Sequence, residues 1–70
     1  MKRCYQLIGN GHRKFWVCEV AGTTYLATFG KIGAQGQTQI KTFSTAREAA
    51  DKANDMIREK EAKGYREVAS

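Results

Sequence analysis

Six cations in the first 43 residues, Lys2, Arg3, Arg13, Lys14, Lys31 and Lys41, stand against the single carboxylate of Glu19. The other 27 residues carry six cations and six carboxylates, so the formal net charge of +5 belongs to the first part of the chain. Ammonium and guanidinium groups gathered in this way neutralise phosphates and give salt-sensitive affinity for a polyanion. Catalytic chemistry has no comparable set. His12 is the only histidine and falls in the turn-forming run Gly9-Asn10-Gly11-His12, where nothing places it beside the thiols of Cys4 or Cys18. Those two cysteines lack the second pair or the histidines of a zinc site, and a reducing compartment keeps them as free thiols. No enzyme activity, metal, cofactor or small-molecule substrate is expected.

Short strands must position these cations. Alternation of apolar and polar residues predicts strands over Arg3 to Ile8, Lys14 to Val20, Thr24 to Phe29 and Thr38 to Phe43. In the second, Phe15 and Val17 face one way while Trp16, Cys18 and Val20 face the other, so both surfaces are apolar. Gly9-Asn10-Gly11 and Ala21-Gly22-Thr23 are short enough for antiparallel hairpins. Thr45 and Glu48 have the spacing of a capping box, in which hydroxyl and carboxylate satisfy amides at a helix start. Behind them Ala46, Ala49, Ala50, Ala53, Met56 and Ile57 form one narrow apolar stripe that suits packing on a sheet, and Gly64 ends the helix. Tyr65 to Val68 either adds a short edge strand or tucks its ring against the sheet.

The stretch Phe29-Gly30-Lys31-Ile32-Gly33-Ala34-Gln35-Gly36-Gln37 joins the third strand to the fourth. Each of its three glycines supplies a positive φ or admits a close backbone neighbour, and spacing alone does not choose. Seventy residues make one domain, residues 1–70, with a small core, since a chain this short buries only about 60% of its unfolded surface. The fold class expected is α+β, an antiparallel four- or five-stranded sheet with one helix packed on one face. No apolar run approaches the roughly 18 residues of a membrane span. The N-terminus lacks the apolar core of a signal peptide, so a cytoplasmic address is expected.

Taken together, several pieces in order resemble the WGR domain, named for a Trp-Gly-Arg triplet and known from the regulatory halves of poly(ADP-ribose) polymerases. The triplet reads Phe29-Gly30-Lys31 here, with Lys14-Phe15-Trp16 on the preceding strand, Ile32-Gly33 and Gly36-Gln37 in the turn, and Glu59-Lys60 with Lys63-Gly64-Tyr65 at the end. The likeness is greatest to the compact bacterial form. It implies a module that binds DNA at breaks and ends, the triplet's aromatic ring packing on a terminal sugar while basic and polar groups hold phosphates. On that basis Arg13, Lys14, Phe29, Lys31 and Gln37 are the candidate contacts. Phe29 keeps a π face without the indole N–H, and Lys31 keeps the charge without the planar fork. The opposing readings are a Phe29 packed beneath the helix and strand-end charges that are merely solvated. Trp16 reads as core, and turn formation accounts for Asn10.

The function expected is binding of nucleic acid, DNA above all, through phosphate and sugar with little sequence specificity. The alternative is a protein-interaction module that uses the glycine-rich turn and the Phe29-Gly30-Lys31 edge.

Overall fold

A computed structural model of the chain describes residues 1–69. In chain order the elements are β1 (Lys2–Gly9), β2 (His12–Ala21), β3 (Thr24–Lys31), β4 (Gln37–Thr42), α1 (Ala46–Ala62) and β5 (Arg66–Val68). All strand pairs are antiparallel, in the spatial order β4-β3-β2-β1-β5. Tight turns make the first four a meander: Asn10 and Gly11 (φ 48° and 81°) close the first hairpin and Gly22 (φ 59°) the second. The helix then returns across the sheet and delivers β5 to the edge beside β1. The expected α+β architecture is present, with the fifth strand in its edge-strand form.

Period-two alternation puts the core on one face only. Tyr5, Trp16 and Phe29 are cross-strand neighbours there, as are Cys18 with Ala27 and Val20 with Tyr25. Beneath them α1 buries Ala49, Ala53 and Ile57. The two alanines let the helix axis approach the rings, and each large side chain so buried contributes about 1.5–3 kcal/mol. Cys4 points to the other face from Cys18, so the two free thiols cannot meet.

Local chemistry holds α1 at both ends. Thr45 Oγ1 accepts from the Glu48 amide at 3.1 Å, as the capping spacing predicts, but the Glu48 carboxylate accepts from the Thr45 hydroxyl rather than from a backbone amide. At the other end Gly64 turns with φ 102°, and the Tyr65 amide donates back to the Lys60 carbonyl at 3.0 Å. This reversal brings the Tyr65 ring against the core. Arg3 then ties β5 down through two bonds to Glu67, at 3.0 and 2.8 Å. Those bonds hold the Glu67 carboxyl below its usual range. Their contribution is therefore present above the ordinary carboxylate pKa and disappears as pH falls through the lowered one.

Tyr5 is wholly buried, and its hydroxyl has no hydrogen-bond partner among the described residues. An unsatisfied buried hydroxyl costs about 1–3 kcal/mol. Tyr5→Phe is therefore expected to stabilise the fold by about 1 kcal/mol, raising the melting temperature by about 4–8 °C in a domain of this size. A urea midpoint below that of the parent protein would contradict this.

Candidate nucleic-acid interface

Where β2 and β3 pass the last turn of α1, a cleft of about 260 Å³ is lined by Lys14, Phe15, Phe29, Gly30, Lys31, Lys60 and Tyr65. Its lysines come from three elements. Lys14 and Lys31 are directly opposed across β2 and β3, one alternation beyond the buried Trp16 and the half-buried Phe29. Lys60 descends from the helix, its Nζ 5.9 Å from the centre of the Trp16 ring and 5.3 Å from that of Tyr65. Like charges opposed across a sheet destabilise it, so a purely structural role does not account for this arrangement.

Their electrostatics sharpen the point. Partial burial lowers the Lys60 pKa from its ordinary value, and the neighbouring ammonium groups of Lys63 and Lys14 add to the effect. The ion pairs among the described residues are Arg3 with Glu67, Arg47 with Asp51, Arg58 with Asp55, and Lys63 with Glu59. None includes Lys14, Lys31 or Lys60. A half-buried aromatic surface ringed by three unpaired ammonium groups suits a ligand with a flat or apolar portion and more than one negative charge. A larger hollow of about 540 Å³ is lined by Glu61, Gly64, Tyr65, Arg66 and Glu67. Its two carboxylates against one guanidinium make it a poor seat for phosphate, so the smaller cleft is the better candidate.

The family model of the WGR domain matches residues 3–70. The chain belongs to the WGR family. Protein YehF of Escherichia coli (strain K12) is 45% identical over 56 residues, which are 80% of this chain and 20% of YehF. A crystal structure of a Bacteroides fragilis protein superposes with a TM-score of 0.94 at 43% identity, covering 99% of this chain and 20% of that one. The chain thus spans about a fifth of the length of both relatives. WGR domains are in general nucleic-acid-binding modules, a binding family rather than a catalytic one.

The geometry explains the middle residue of the WGR triplet. A Cβ on Gly30 would lie 2.9 Å from the Gly36 Cα and 3.6 Å from Phe15 Cε1, so Gly30 is required by close approach. Gly33 is required by its φ of 97° alone, with open space around it, and Gly36 by both, with φ 80° and the Phe15 ring 2.8 Å from any Cβ. The connection is thus clasped onto β3 at the point where Phe29 and Lys31 project into the cleft.

Of the five residues the sequence nominates, Lys14, Phe29 and Lys31 come together. Phe29 combines both readings, since it packs partly against the core while lining the cleft. Gln37 is its exposed cross-strand neighbour on β4 and is not part of the lining. Arg13 is placed elsewhere: adjacent strand residues point to opposite faces, so with Lys14 in the cleft Arg13 projects from the far side of the sheet. Four lining residues, Phe15, Gly30, Lys60 and Tyr65, were not among the five. The signal for Lys60 was its helical spacing, since it continues the stripe of Ala49, Ala53 and Met56 with a charge in place of an apolar group.

Proposed function

We propose that this WGR domain binds DNA ends or breaks, with Lys14, Lys31 and Lys60 pairing with backbone phosphates and the Phe29 and Tyr65 rings packing on the terminal sugar or base. The observation that carries this reading is the convergence on one aromatic cleft of three ammonium groups that form no ion pair among the described residues. Lysines act on phosphate as point charges, and the lining offers neither arginine nor a side-chain amide to read base edges. Little sequence preference follows. Stacking on a ring is equally tolerant of base identity.

Fluorescence-polarisation titrations with blunt, nicked, 5′-phosphorylated and single-stranded oligonucleotides over a range of salt test this. Affinity is expected to fall with a log–log slope of about −0.9 for each of about three phosphates on duplex DNA, and to favour substrates with an end or nick over closed duplex. Weak binding that does not respond to salt would favour the protein-interaction reading instead.

A further inference from the structure

Among the described residues, no element lies over the face of the sheet turned away from α1. The solvated side of an antiparallel sheet is ordinarily polar, yet here Ile40 and Leu26 are neighbours on β4 and β3, and Val17, Cys4 and Val68 on β2, β1 and β5. Together they form an apolar band that crosses the strands obliquely from one edge to the other. Ile40 is 66% exposed, Ile8 60% and Val68 36%; Met1 aside, these are the only exposed large hydrophobic residues described.

Charge narrows what could cover this band. At one end Lys2 and Glu19 are cross-strand neighbours and offset each other. At the other, Arg13 lies beside Ile8 and Arg66 beside Gln6, and neither guanidinium belongs to an ion pair among the described residues. A second copy would set positive charge against positive charge, with Glu19 as the sole side-chain carboxylate of this face among the described residues. Five strands at about 4.8 Å and three side-chain rows at about 6.7 Å give about 500 Å². That is short of the roughly 800 Å² per partner of a stable free complex, but within the range of a transient or tethered one. The oblique course favours one rod over a second sheet, because aligned sheets keep their strands within about 30°.

We propose that this uncovered face docks an amphipathic acidic helix, whose aliphatic stripe covers the band of Ile40, Leu26, Val17, Cys4 and Val68 while its carboxylates pair with Arg13 and Arg66. At 1.5 Å per residue a helix of about 16 residues spans the sheet. The surface lies on the other side of the sheet from the lysine cleft, so both can be occupied at once.

The test is a titration of the ¹⁵N-labelled protein with two synthetic helices of about 18 residues. Both carry leucines at i, i+3, i+4 and i+7, one flanked by glutamates and the other by lysines. The acidic peptide is expected to shift the amides of Cys4, Arg13, Val17 and Leu26, and the basic one to bind at least about tenfold more weakly. Leu26→Gln with Ile40→Gln abolishes the shifts, while affinity for an oligonucleotide is unchanged. Three results overturn the proposal: no shifts up to about 1 mM peptide, equal binding of both peptides, or shifts confined to Lys14, Lys31 and Lys60. Shifts of the same amides on concentrating the protein alone would show a second copy on this face, and would overturn it too. Because the oligonucleotide titration reads the cleft separately, failure of either site is distinguishable from failure of the other.

Discussion

Gly36→Ala is expected to cost the fold about 2–4 kcal/mol, most of the stability a domain of this size possesses. Two terms combine. The residue has φ 80°, where a Cβ is strained, and that Cβ would meet the Phe29 carbonyl oxygen and the Phe15 ring. A carbonyl inside a sheet cannot retreat without breaking the pairing of β3 with β4. Gly33→Ala is the control: its φ of 97° carries the same kind of strain, but nothing lies within 4 Å of the added carbon. It should cost only about 1 kcal/mol. Urea unfolding of the two variants separates conformational strain from steric closeness, and equal midpoints would show that the clasp onto β3 has no energetic weight.

Reversing charge in the cleft carries the second large effect. Lys14→Glu with Lys31→Glu is expected to weaken DNA binding by about 100-fold at low salt and to flatten the log–log salt slope by about two. Both side chains are exposed, and two opposed glutamates repel each other as two opposed lysines do, so thermal stability should change little. Parental affinity in this variant would remove the cleft from the interface. Lys60 adds a pH signature. Its lowered pKa means that the folded protein holds this proton less tightly than the unfolded chain, so stability rises as pH climbs through that value towards the ordinary 10.5. Phosphate binding acts in the opposite sense. It draws the proton back, so affinity falls over the same interval, and Lys60→Arg, which keeps its charge there, should remove that part of the dependence.

Much of this fold was legible because its signals are local. Alternation separated Tyr5, Trp16, Cys18, Tyr25 and Ala27 from the residues on the far face, and Thr45 and Gly64 bounded the helix. Strand ends were less so. β2 begins at His12 and β3 runs on to Lys31, because pairing with a neighbouring strand extends beyond the apolar residues that announce it. The candidate site was legible in part. Lys14 and Lys31 stand out by charge and setting, but their opposition depends on the register of a hairpin, a property of two strands jointly. Arg13 illustrates the converse, since closeness along the chain separated it from Lys14 in space. Lys60 and Tyr65 reach the cleft only through the return of the helix across the sheet, a long-range consequence that no window of sequence contains.

Because Cys4 pairs with Val68, the first and last strands are immediate neighbours at one edge. A polypeptide that enters such a module leaves it a few ångströms away, so insertion into a longer host stretches neither partner. The same sheet can therefore be carried as a cassette within unrelated architectures, which accords with its taking up only a fifth of YehF.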